Sequence, residues 1–235
     1  MKTTEPIEKL LACSDMYQLL SVFLSLPSSE MVDGIAGGTL KQDVIDIFDE
    51  LQVEQEQVLA ATTTLTAFAE NINVDKKALL STLRQEYTRM FRHPKEPKVD
   101  IYEALFLWEL KENKDLNKNP KPRLFVSPAA MDCERLYKRA GLVGSKELNE
   151  SADYFATQLE FMMAVYTKAA KARQENDEQQ LKELDLIIEE FSSLHLDRWA
   201  LLFFQKCKRV SQNELMTDFW EIALLFFEHF IPKFK

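Results

Sequence analysis

Glycine is scarce, with five in 235 residues, and no sustained period-two alternation of apolar and polar residues occurs anywhere. The hairpin signature, Asn-Gly or Asp-Gly between strand-length apolar runs, is missing as well. The expected fold class is therefore all-α, a single compact fold of about ten helices. Cysteine is sparse too: Cys13, Cys133 and Cys207 lie far apart with no CxxC pair, which excludes a disulfide framework and a paired-thiolate metal site. They read as reduced, buried thiols in a cytoplasmic protein. Leu10 to Cys13 looks like a lipoprotein cleavage box, but Glu5, Pro6 and Glu8 precede it where an apolar segment would be needed. No run of eighteen apolar residues is present, so no stable membrane insertion is expected.

Motifs of catalysis are equally absent. The three histidines, His93, His195 and His229, form no HExxH and no pair of Glu-x-x-His motifs, so no metal site is expected. Neither a GxSxG elbow nor a cysteine-histidine signature occurs. The expectation is a protein that is not an enzyme and has no catalytic residues. Excess positive charge is lacking: 29 Lys and Arg face 38 Asp and Glu, a formal net charge of -9. Without clustered cations no nucleic-acid partner is expected. The balance suits a basic peptide partner, and it equally suits mere solubility.

What the chain does contain is helix. One is expected from the N-cap Thr4, with Pro6 in its first turn, through Leu26, where Pro27 stops it. Residues 28–39 hold three of the five glycines and read as a loop. Helices are expected over 40–51 and 54–71, the latter weakened but not broken by three consecutive threonines. Asp75 caps the next, which runs through Tyr87, Met90 and Phe91 to a loop with Pro94 and Pro97. A short helix then concentrates Tyr102, Phe106 and Trp108, more large side chains than one buried stripe needs, so some can reach a surface groove. Residues 111–123, with five Lys or Arg, three Asn and two Pro, read as a linker. Ser127 caps a helix with Pro128 at its first position, and Ser211-Gln212-Asn213-Glu214 opens the last one as a capping box. Gly141-Leu142-Val143-Gly144-Ser145-Lys146 resembles a shortened phosphate loop but follows a helix rather than a strand.

The organising stretch is 149–166, NESADYFATQLEFMMAVY, free of Gly and Pro and apolar at Ala152, Phe155, Leu159, Met162 and Tyr166. On one continuous helix, Asp153 and Glu160 would return to within roughly 20° of each other, with Tyr154 and Phe161 beside them. Such a stripe can line a groove for a basic, partly apolar ligand, or it can be the solvated edge of a core helix.

Several segments then fall into a known order: EYTRMF at 86–91, the proline loop, YEALF at 102–106, SPAAMDCERLYKRAGL at 127–142, ESADYFATQLEFM at 150–162 and FSSLHLDRW at 191–199. In order and spacing they resemble the TorD/DmsD/NarJ family of redox-enzyme maturation chaperones. The resemblance implies one chaperone domain over 1–235, with a sub-domain break near 111–126 or 145–153. It implies a cytoplasmic chaperone that binds the twin-arginine signal peptide and the apo form of a molybdopterin oxidoreductase, keeping it from export until the cofactor is inserted. Monomers and domain-swapped dimers both fit. No cofactor is expected, although some members are thought to bind GTP, and the 141–146 turn offers the alternative of a nucleotide-binding protein.

The family's Glu-Pro-x-Asp-His segment, a hinge that contributes to the peptide site, corresponds to residues 150–154. Glu150 and Asp153 keep their places, Ser151 stands where Pro is usual, and Tyr154 replaces the His. From the resemblance and the side-chain chemistry together, Glu150, Asp153, Glu160 and Glu103 are the candidates to take arginines, bidentate carboxylate pairing being arginine's strongest recognition mode. Tyr102, Phe106, Trp108 and Tyr154 are the candidates to pack on the apolar stretch that follows. A second role open to Asp153 is to cap a helix and touch no ligand.

Overall fold

The computed structural model describes residues 5–71, 73–111, 121–142 and 150–230, and among these the fold is all-α. In chain order the α-helices are α1 (Ile7–Phe23), α2 (Ser29–Gly37), α3 (Thr39–Glu50), α4 (Gln55–Ala61), α5 (Thr63–Glu70), α6 (Lys76–Tyr87), α7 (Glu103–Glu109), α8 (Pro128–Arg139), α9 (Phe155–Glu175), α10 (Glu178–Phe191), α11 (Asp197–Val210) and α12 (Glu214–Phe230). Two π-helical turns extend this set: Thr88–Arg92 continues α6, and Ser192–Leu196 joins α10 to α11.

The core forms where α1 and α9 lie together. Tyr17 stacks on Tyr166 at 5.6 Å between centroids, and Ser14 Oγ bonds to the Met163 carbonyl and to Thr167 Oγ1. Because α1 also packs against α3 and α12, it is buried around most of its circumference, as its apolar residues on several sides require. Phe23 stacks on Phe219 of α12 at 4.1 Å. A second aromatic layer joins α7, α9 and α11, with Phe155 4.2 Å from Trp199 and Phe106 5.6 Å from Phe203.

Several expected boundaries move. Residues 28–39 are mostly helix: Ser28 accepts from the Met31 amide, Met31, Val32 and Ile35 are buried, and Gly38 ends α2 in the left-handed region at φ 76°. That apolar face outweighs the roughly 1 kcal/mol that an interior glycine such as Gly34 costs a helix. The expected 54–71 helix breaks at Thr62, where φ is −120°, because its hydroxyl bonds back to the Val58 carbonyl and Asp218 Oδ2 accepts from the Leu65 amide to start α5 anew. Helix α1 ends three residues before Leu26, and Thr4 lies outside the described residues. Asn213, rather than Ser211, caps α12 by accepting from the Met216 amide. Asp75 and Ser127 cap α6 and α8 as expected.

The largest shift concerns the organising stretch. Helix α9 starts at Phe155, so Asp153, in a turn closed by the Tyr154 amide on the Ser151 carbonyl, and Tyr154, in extended backbone, precede it and share no helical stripe with Glu160. At its far end α9 carries on through the charged span to Glu175 and stops at Asn176, φ 57°. Most of the expected linker, 112–120, and most of the phosphate-loop-like turn, from 143 on, lie outside the described residues.

Candidate functional site

Two extended segments meet where α7 and α9 begin. Glu103 donates its amide to the Asp153 carbonyl and Phe155 donates to the Ile101 carbonyl, both at 3.0 Å, making an isolated antiparallel bridge between Tyr102 and Tyr154. Each segment is the lead-in to a helix, where the backbone is free to be extended before the helical bonds start.

Asp153 ties this bridge to a third segment. Its Oδ2 accepts from the Ala104 amide at 3.1 Å and from the Ser127 hydroxyl at 3.3 Å, and its Oδ1 accepts from the Ser151 hydroxyl at 2.5 Å. Ser151 Oγ in turn accepts from the Phe125 amide. No side chain of its own segment caps α7, so Asp153 serves as that cap from 49 residues away. The carboxylate is fully covered, at 0% exposure. The expectation of an Asp153 open to a ligand arginine is thus not met in this structure: donors from the protein itself surround it.

Outside the bridge lies a second, partly accessible carboxylate. Glu150 accepts the Tyr102 hydroxyl on one oxygen and Arg92 Nη2 at 2.7 Å on the other. The Arg92 guanidinium also lies 5.7 Å from the Tyr154 ring centre. Burial, then the Glu150 carboxylate, hold the Tyr102 phenol well above its ordinary pKa. Tyr154 is buried; its hydroxyl and that of Tyr87 both donate to the Leu24 carbonyl. Beside the bridge, Phe125 is 54% exposed with φ 66°, and Val126 is exposed too.

Inside the bridge is a buried polar cluster. Glu103 Oε2 lies 2.8 Å from His195 Nδ1 and accepts from Gln158 Nε2 at 2.7 Å. Gln158 Nε2 is also 3.4 Å from Cys133 Sγ, and His195 Nε2 is 3.2 Å from Asp132 Oδ2. One ligand atom each of Glu103, Cys133 and His195 falls within 4.8 Å of the other two. Burial and the neighbouring Glu103 push the Cys133 thiol well above its ordinary range.

Of the residues picked from the sequence, the structure gathers Tyr102, Glu103, Glu150, Asp153 and Tyr154. Glu103 and Phe106 are sealed, the first among polar partners and the second against Trp199 and Phe203, so neither reaches a surface groove here. Half-buried Trp108 has Lys121 Nζ 5.9 Å from its ring. Glu160 sits within α9, where burial raises its carboxyl pKa. Sequence reasoning missed Arg92, Phe125 and Val126, and it missed that Cys133, Gln158 and His195 converge. Arg92 is 58 residues from Glu150 and His195 is 92 from Glu103, and no local pattern announces such pairs.

A groove of about 620 Å³ runs elsewhere, along α6, lined by Lys77, Arg84, Arg89 and His93 among others. Lys77 and Arg84 give it positive charge, whereas Arg89 is paired with Glu86.

No curated protein and no solved structure matches the chain. Residues 53–205 match the family model described as nitrate reductase delta subunit. That match takes in the bridge, the Glu150–Arg92 pair and the buried cluster, and it reaches further toward the N-terminus than the motifs read from the sequence. The chain belongs to the nitrate reductase delta subunit family, a family of chaperones for molybdoenzyme maturation.

Proposed function

We propose that this chaperone acts in the cytoplasm by binding a twin-arginine signal peptide, together with the apo catalytic subunit that carries it, until the molybdopterin cofactor is in place. The observation that supports this reading is the partly exposed Glu150, which already accepts a guanidinium, that of Arg92. Arg92 uses one oxygen of Glu150 and Tyr102 the other, so a guanidinium that replaces both gains the forked contact that arginine favours. Exposed Phe125 and Val126 stand near enough to receive the apolar stretch that follows the arginines. Asp153 and Glu103 have a different part: they hold the floor of the site rather than touch the peptide.

A fluorescently labelled twin-arginine peptide, titrated with the protein, tests the proposal. Binding should weaken when both arginines become lysine, because an ammonium cannot form the forked contact, and when Glu150 becomes Gln. Equal affinity for the arginine and lysine peptides would defeat it. Labelled GTP, titrated in parallel, tests the alternative of nucleotide binding.

A further inference from the structure

We propose that Glu103, Cys133 and His195 form a buried site for a divalent transition-metal ion of zinc type, with Gln158 completing the set. This inference is independent of peptide binding. The three donors come from three places in the fold: the first residue of α7, the middle of α8, and the π-helical turn between α10 and α11. Oxygen, sulfur and imidazole nitrogen together are a donor set that zinc accepts and that magnesium and calcium do not.

The three donors converge, but the thiol and the carboxylate must both move to meet such an ion. Cys133 Sγ lies 3.6 Å from His195 Nδ1 and 3.9 Å from Nε2, so it stands off the Nδ1 lone-pair axis and has to swing toward it. Two ligands at about 2.3 Å and 2.0 Å from a tetrahedral zinc stand roughly 3.5 Å apart. The Glu103 to His195 contact, 2.8 Å, must open by about half an ångström, since two such ligands are roughly 3.3 Å apart around zinc.

Two further observations concern the polar atoms of the cluster. Among the described residues Gln158 Oε1 is buried and accepts no hydrogen bond; Glu103 Oε1 accepts none either but has Arg198 Nη1 at 3.8 Å, Oε2 being the oxygen that faces His195. Unpaired buried acceptors are rare because each forfeits its hydration. Turning the Gln158 amide over would bring Oε1 to where Nε2 now faces Glu103 and Cys133. Moreover, the His195 ring stands between two carboxylates, Glu103 at Nδ1 and Asp132 at Nε2. A neutral imidazole has one N–H to give and so satisfies only one of them. A cation bound by Nδ1 and Glu103 leaves the Nε2 proton for Asp132, the arrangement in which a carboxylate orients a metal-bound histidine. Binding releases the Cys133 thiol proton to solvent, and the two anionic ligands then balance the charge of the ion. The competing arrangement is a metal-free imidazolium between the carboxylates.

The test is to refold the full-length chain in excess Co2+, which gives the ion access to a sealed site, and to record the visible and near-ultraviolet spectrum. One cobalt per chain with a thiolate-to-cobalt charge-transfer band and strong tetrahedral d–d bands is expected, and zinc should displace it. Cys133→Ser should abolish the charge-transfer band and lower affinity, whereas Cys13→Ser and Cys207→Ser should keep it. Glu103→Gln should weaken binding while retaining the band. Refolded wild-type protein without stoichiometric cobalt, or with a band that survives in Cys133→Ser, overturns the proposal.

Discussion

Arg92 donates from Nη2 to Glu150 Oε1 at 2.7 Å, so the carboxylate proposed to meet a ligand arginine is held by an arginine of the protein itself. The pair is partly exposed, 43% for the Arg92 side chain and 22% for Glu150, which limits its stabilising worth to about 1 kcal/mol or less. Its consequence lies in binding. If an incoming guanidinium must displace Arg92, then Arg92→Gln should tighten twin-arginine peptide binding several-fold, while Glu150→Gln weakens it. The double variant should behave like Glu150→Gln alone. Fluorescence anisotropy on the three variants reads this directly, and a loss of affinity in Arg92→Gln would show that the arginine assists rather than competes.

Asp153 should prove to be a stability residue first. Removing a buried carboxylate that accepts three hydrogen bonds leaves the Ala104 amide and the Ser127 and Ser151 hydroxyls without it. Losing a helix cap costs about 1 kcal/mol and each buried donor left unpaired about 1–3 kcal/mol. Urea denaturation of Asp153→Ala is therefore expected to show a loss of at least about 2 kcal/mol, with Asp153→Asn smaller because an amide oxygen still accepts. Peptide affinity of the Asn variant, measured where it stays folded, should change less than that of Glu150→Gln.

These two residues show what the sequence could and could not tell. The helices were legible because apolar spacing and capping are local: Asp75, Ser127 and Pro128 mark their helices within a turn. The family likeness pointed to Glu150 and Asp153 as a pair, yet it could not say which of them is covered. That depends on Ser127 and Ala104, which arrive from other segments. Similarly, the glycines at 34, 37 and 38 spoke for a loop, and only the burial of Met31, Val32 and Ile35 turned most of it into helix. His195 belongs to no local motif, since neither Cys133 nor Glu103 is near it in the chain.

Glu86 gives a pH prediction. Burial pushes its carboxyl up, but the paired N–H groups of Arg89 at 2.7 Å, the Gln212 amide at 2.6 Å and the Ser211 hydroxyl outweigh this and hold it below the ordinary carboxylate range. A carboxyl whose folded pKa is depressed contributes stability that is fully present above its unfolded value, about 4.3, and is lost as pH falls through the folded one. Asp100, Asp218 and Glu160 are shifted the other way by burial, so they oppose this trend in the whole protein. The comparison that isolates Glu86 is wild type against Glu86→Gln. The gap in their chemical stability should be constant near neutrality and shrink as the pH drops below about 4.3.

Phe125 offers the last prediction, because its position is unfavourable twice over. A bulky residue at φ 66° costs on the order of 1–3 kcal/mol of backbone strain, and 54% of this one faces solvent, where its ring gains little from the core. Its amide still donates to Ser151 Oγ, a bond that any non-proline residue can make. Asparagine tolerates the left-handed region far better than phenylalanine. Phe125→Asn is therefore expected to raise the midpoint of thermal unfolding by a few degrees. If the ring is there to receive the apolar part of a signal peptide, the same substitution should weaken peptide binding several-fold. Calorimetry and a peptide titration on one preparation separate these effects: greater stability with unchanged affinity would remove Phe125 from the binding surface and leave its exposure without a purpose.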